Sequence, residues 1–288
     1  MVTNDVTYYS KNLRDGKRFY RVEKTPEAMK IMNTEPWRAY QEPFRCAPHV
    51  YMVSGNVDWF VYLLDTGEGL ILIDSSMNPL DYLLIDSIHR MGFDPRDIKK
   101  ILITHGHRDH DGCARLLKEM SGCEIYFPPA DVEYKKEHET MYTGSKDPLY
   151  FDYEIDHLYD YDKTIDLGRF SISIRHCPGH TPGVTAFFFE DTDEETGVTY
   201  KLAMHGGSGV SGKPDDQYND LRKIFIKDCR ELAELPVDIV LPSHGNQVNW
   251  LAWVPEDRMD YTPWIDPSLW HDFMLERADA AEKITIMD

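Results

Sequence analysis

The sequence predicts an α/β fold built from two related halves, on three observations. Short apolar runs of strand length recur along the 288 residues. Amphipathic stretches with helical spacing separate them. Several of the runs deliver histidine-containing motifs, which puts candidate ligands at strand ends in both halves.

Residues 1–43 are polar and aromatic and read as an N-terminal arm packed on the core. A helix is expected after Thr25-Pro-Glu27, with threonine as cap and proline in the first turn. Trp37, Tyr40 and Phe44 are expected to pack this arm on the body. The main domain is read as residues 44–252. Its stretch 50–74 holds two or three strands, with the Asp65-Thr-Gly-Glu-Gly69 turn between the last two. Residues 82–91 form an amphipathic helix. Lys100-Ile-Leu-Ile103 is a buried strand, and from Asp109 the spacing of Cys113, Leu116, Leu117 and Met120 turns helical. The second half repeats the theme with strands at 171–174, 184–189 and 200–204, a helix over about 215–235, and the strand run Val237-Asp-Ile-Val-Leu-Pro242. Residues 253–288 read as a C-terminal extension with a helix near 267–281, serving as a lid, an oligomer contact or simple packing.

His105-Gly-His107-Arg-Asp109-His110 carries the chemistry. Four strong metal ligands lie within six residues, directly after an apolar strand. Residues two apart in an extended segment point the same way, so His105 and His107 can grip one ion. Asp109 and His110 lie where the chain turns into a helix and can face a second ion. Imidazole and carboxylate without thiolate suit zinc, and manganese or iron less well. Two further histidines follow strands in the same manner. His180 sits in His176-Cys-Pro-Gly-His180-Thr-Pro-Gly183, a loop pinned by proline and glycine, and His244 follows Pro242-Ser243. Both read as ligands, whereas His176 reads as structural.

On these residues the chain resembles the metallo-β-lactamase superfamily over roughly residues 44–250. The matching pieces are the Leu70-Ile-Leu-Ile-Asp74 strand, the His105 motif, Pro178-Gly-His180-Thr-Pro-Gly183 and Pro242-Ser-His244. The resemblance implies a four-layer αββα sandwich and two zinc ions per chain. It implies that His105, His107 and His180 hold the first zinc and that Asp109, His110 and His244 hold the second. It also makes Asp74 a residue that orients ligands through hydrogen bonds.

The departure from the family pattern is informative. Most superfamily hydrolases carry a metal-bridging aspartate after the strand that corresponds to Tyr200-Lys-Leu-Ala-Met204. Here that strand runs into His205-Gly-Gly-Ser208-Gly, with neither carboxylate nor cysteine, and Ser208 stands in the place. This arrangement is similar to the third subclass of metallo-β-lactamases. His205 is placed with Asp109 and Ser208 among the catalytic candidates; it is read as an extra ligand, a proton donor, a substrate contact or a strand-end histidine that bonds backbone, and is not counted among the six ligands. Ser208 and Ser211 are candidates for holding a substrate carboxylate or amide, and Asp58 and Trp59 for lining the pocket.

Composition agrees with a catalytic domain. Against 31 Lys and Arg stand 50 Asp and Glu, a formal charge of −19, which repels polyanions and argues against nucleic acid as a partner. Five cysteines with no C-x-x-C pair read as reduced, buried thiols. No basic start and no signal-length apolar stretch open the sequence, and no run reaches the roughly 20 apolar residues of a membrane span. A cytoplasmic protein is therefore expected, acting on a small molecule, with no membrane partner and with homo-oligomer formation left open.

The expected function is that of a dizinc metallohydrolase. A metal-bridging hydroxide would attack a carbonyl, with Asp109 ligating and orienting it, on a cyclic amide or ester such as a β-lactam-like compound or a lactone. The alternatives are a thioesterase of the glyoxalase II type and a non-catalytic metal-binding relative.

Overall fold

The computed structural model describes residues 25–143, 152–210, 216–248, 250 and 253–284. Ser211 lies outside the described residues. Two sheets form the centre. The first has seven strands in sequence order, β1 (Phe44–Ala47), β2 (Val50–Met52), β3 (Tyr62–Asp65), β4 (Leu70–Ile73), β5 (Ile98–Leu102), β6 (Glu124–Phe127) and β7 (His157–Leu158). It is antiparallel up to β4 and parallel from β4 to β7. The second sheet has the order β12-β11-β10-β9-β8, where β8 is Ile165–Leu167, β9 Phe170–His176, β10 Thr185–Thr192, β11 Thr199–His205 and β12 Ile239–Val240. Only β12 joins it in parallel.

Side-chain alternation on β4 shows how the layers arise. All four residues of β4 are buried, because the strand is covered on both faces. Leu70 and Leu72 face an outer core with Leu84 and Ile88 of α2 (Asp81–Arg90) and Leu117 of α4 (Ala114–Ser121). Ile71 and Ile73 face an inner core shared with Phe187 of β10 and Leu202 of β11. The second sheet is covered in turn by α6 (Asp216–Ala233) and α7 (Leu269–Glu282). Phe225, Cys229 and Leu232 of α6 and Trp270, Phe273 and Met274 of α7, at three- and four-residue spacing, enter the same cluster. The result is helix, sheet, sheet, helix, the four-layer sandwich expected.

Two sequence expectations need correction or completion. Trp37 does not anchor the preceding segment, since it is 51% exposed. Anchoring falls to Ile31 and Met32 of α1 (Pro26–Thr34) and to Phe44, which stacks between Trp250 and Trp264. The C-terminal helix is not an open lid. Trp270 is fully buried, and its indole N–H donates to the Leu232 carbonyl at 2.7 Å. Among the described residues no helix is long and apolar enough to cross a membrane.

Candidate metal centre

The site forms where strand ends from both sheets meet. After β5 the chain passes Thr104 and reaches the short helix α3 (Arg108–Asp111). The Thr104 carbonyl accepts the Thr185 N–H of β10 at 2.9 Å, stitching the end of one sheet to the start of the other. The β2–β3 connection closes a further side. Trp59 pairs with His244 in an antiparallel bridge, and Gly245 N–H donates to the Asp58 carbonyl at 2.9 Å.

All six predicted ligands are brought together as two triads. In each triad, one ligand atom per residue lies within 4.8 Å of the other two. His107 Nδ1 is 3.1 Å from both His105 Nε2 and His180 Nε2. In the second triad His110 Nε2 is 3.1 Å from His244 Nε2. Asp109 Oδ2 completes it, 3.5 Å from His110 Nε2 and 3.6 Å from His244 Nε2. Ligands about 2.0–2.1 Å from one zinc ion at tetrahedral angles stand about 3.3 Å apart, so the residues fit this metal.

Electrostatics favour a cation here. Burial, reinforced by the neighbouring histidines, pushes His105 and His180 well below the ordinary imidazole value. Burial likewise lowers His107, to about 4. These rings are neutral at neutral pH and present lone pairs. His110 behaves oppositely. Burial works against its charge, but Asp74 and Asp109 overcome this and raise it to about 9. Desolvation works against the charge of the half-buried Asp109, yet His110, His244 and His107 hold its carboxyl below the usual range. The second triad thus favours a positive charge at the ligand atoms, which a divalent ion would supply.

Outer contacts fix the rings. His110 Nδ1 bonds Asp74 Oδ2, and the fully buried Asp74 also accepts from Thr104 N–H at 2.8 Å. Asp74 holds a left-handed φ of 63°, rare for a residue with a side chain. Such strain is found where the surroundings enforce it, commonly at functional sites. The buried Asp58 carboxylate lies 3.4 Å from His244 Nδ1, so it backs a ligand rather than lining the pocket. Sequence reasoning missed Thr104, Asp131 and Tyr134. Tyr134 Oη is 2.9 Å from His107 Nε2, and Asp131 bonds both ligand loops. Only the pairing of Asp131 and Tyr134 three residues apart, on one helix face, hinted at a joint role.

The remaining candidates are also placed. His176 bonds the Pro182 carbonyl at 2.7 Å and stacks on Tyr161, a structural role. Cys177 is a buried free thiol. His205 stands outside both triads, its ring edge-on to Phe225 at 5.7 Å. Burial lowers its pKa to about 4, and its Nδ1 accepts from Gly207 N–H at 3.3 Å. The loop beyond β11 runs beside the ligands. A Cβ on Gly207 would stand 2.9 Å from that of His180, so only glycine permits the approach. Ser208 follows, 3% exposed, with a buried hydroxyl that has no partner among the described residues.

Comparison with known proteins follows the same lines. The family profile of the metallo-beta-lactamase superfamily matches residues 59–193. An uncharacterised protein of Mycobacterium leprae is 31% identical over 165 residues, covering 51% of this chain and 68% of that protein. A hydroxyacylglutathione hydrolase of Tolumonas auensis is 26% identical over 214 residues, or 71% of this chain and 68% of its own length. Among solved structures, the subclass B3 metallo-beta-lactamase BJP-1 of Bradyrhizobium japonicum superposes with a TM-score of 0.73 at 24% identity. That match covers 86% of this chain and 95% of the enzyme.

Proposed function

The chain belongs to the metallo-beta-lactamase superfamily, and on that premise we propose that it is a zinc hydrolase with two metals per chain that opens a cyclic amide or ester. The observation that carries this reading is the pair of triads together with Ser208, which follows β11 in the His205-Gly-Gly-Ser208-Gly stretch where most relatives carry a carboxylate. His105, His107 and His180 would hold one zinc, and Asp109, His110 and His244 the other. Bound there, the metals supply a water acidic enough to act near neutral pH and a positive field for charge developing on a carbonyl oxygen.

The protein's own residues supply position. Asp109 stays ionised and orients groups between the triads through its carboxylate. Asp74 and Asp58 hold the ligand rings from behind. The unpartnered Ser208 hydroxyl offers a hydrogen bond to a substrate carboxylate or amide. His205 serves this loop through Gly207 rather than the reacting atoms. A thioester is the second reading, supported by the similarity to the Tolumonas auensis hydrolase. Ser208 in the place of a bridging carboxylate weighs against it.

Metal analysis of the purified chain tests the proposal, followed by chromogenic lactam, lactone, thioester and phosphodiester substrates. We expect close to two zinc ions and turnover of a lactam or lactone. Turnover of thioesters alone would favour the second reading, and a single retained iron would sink the dizinc assignment.

A further inference from the structure

Helix α5 (Asp131–Thr143) contributes no ligand, yet its first turn touches both loops that carry the first triad. Asp131 is fully buried. Its Oδ2 accepts from Gly106 N–H at 2.8 Å and from the Thr181 hydroxyl at 2.6 Å, and its Oδ1 accepts from Gly183 N–H at 2.6 Å. Gly106 separates His105 from His107, and Thr181 follows His180. One carboxylate therefore fastens the two ligand loops to each other. The approach is so close that a Cβ on Gly183 would stand 2.6 Å from Asp131 Cγ.

Tyr134 lies one turn further on the same face. Its Oη is 2.9 Å from His107 Nε2, the nitrogen that faces away from the triad. When Nδ1 serves as ligand, Nε2 carries the proton and donates to the phenol oxygen. This bond fixes both the tautomer and the tilt of the ring. The second triad is backed from elsewhere, His110 by Asp74 and His244 by Asp58. Lys135, next along α5, pairs instead with Asp111.

We propose that the first turn of α5 is the positioning element of the first metal: Asp131 sets the spacing of the His105–His107 and His180 loops, and Tyr134 sets the orientation of His107. The proposal rests on the reading of these histidines as zinc ligands. It makes the two metals separable, because Tyr134 and Asp131 bond the residues of one triad and their loops.

The test is competition titration of the metal-free protein with zinc against a chromophoric chelator, together with thermal unfolding of the metal-free form. Wild type, Tyr134→Phe and Asp131→Asn are compared, with His180→Ala marking which constant belongs to the first site. In Tyr134→Phe we expect the first-site constant to weaken about 10-fold, at the lower end of what loss of an outer partner costs. The second constant and the melting temperature should stay put, since phenylalanine keeps the ring. Asp131→Asn should weaken the same constant and also lower the melting temperature. Equal weakening of both constants, or a lower melting temperature with both constants intact, would show a merely structural helix turn and overturn the proposal. A wild-type chain that takes up fewer than two zinc ions would fail earlier, at the reading of the triads, and would remove the proposal with it.

Discussion

His110 Nδ1 lies 2.6 Å from Asp74 Oδ2, and through Asp74 it is joined to the other triad. The Thr104 hydroxyl donates to that same Asp74 oxygen at 2.9 Å, and its own oxygen stands 3.0 Å from His105 Nδ1. A single buried carboxylate so reaches one ligand of each triad, directly in one case and through a hydroxyl in the other. Burial raises the pKa of Asp74 while His110 and Thr104 pull it back.

Asp74 should therefore matter to both metals. Asparagine tolerates a left-handed backbone, so Asp74→Asn removes charge without straining the turn. Both zinc constants should weaken, by about 10–100-fold. Asp74→Ala leaves a buried imidazole and a buried N–H without their acceptor, and should cost about 3–5 kcal/mol in urea unfolding of the metal-free protein. A variant that weakened only one constant would break the Asp74–Thr104–His105 link.

His180 and His244 should separate the sites. Each is one of three candidate ligands in its triad. Metal analysis of His180→Ala should show loss of the first zinc, and that of His244→Ala loss of the second, each with severe loss of turnover. A variant with full metal and full turnover would take its histidine off the ligand set.

Ser208→Ala should keep both metals. The lost hydrogen bond should appear as a raised KM, worth about 1–2 kcal/mol, with kcat changed less. Loss of a metal would put the serine or its loop among the ligands. Unchanged kinetics would leave it a turn residue and weaken the lactam-like reading.

The cysteines should be silent. All five are buried and unpaired. Burial raises every one of their thiols, Cys177 to about 12. At pH 8 the thiolate fraction is small, because the pH lies below the raised values. A thiol reagent should label the native chain slowly and find five thiols in denaturant. Rapid labelling of one cysteine at pH 8 would contradict its burial.

The clustering of the candidate ligands was legible because metal chemistry concentrates signal: His105, His107, Asp109 and His110 are neighbours in sequence as well as in space. The α/β character was legible from apolar runs such as β4, while the αββα layering came with the resemblance to the superfamily; that β4 alternates between two cores is visible only in the structure. Helix α5 was not. Its sequence, Asp-Val-Glu-Tyr-Lys-Lys-Glu-His-Glu-Thr-Met-Tyr-Thr, has no apolar stripe to mark a helix. The roles of Asp131, Tyr134 and Thr104 are tertiary, set by contacts across 25 to 52 positions of chain for the two α5 residues, and no spacing rule reaches that far. Trp37 failed for the opposite reason, since an aromatic near a turn says nothing about which side it faces.

The seam at Thr104 and Thr185 has a consequence for how the molecule assembles. Each triad takes two candidate ligands from the chain around β5 and a third from beyond β9 or β12. Neither half of the sequence owns a complete binding site; separated halves would each offer at most two ligands to either ion. Metal uptake is then coupled to the docking of one half on the other, and every zinc bound in the native state pulls the folding equilibrium toward it. The ions would act as rivets across the seam as well as reagents, and stripping them should loosen the join between the sheets before it melts either one.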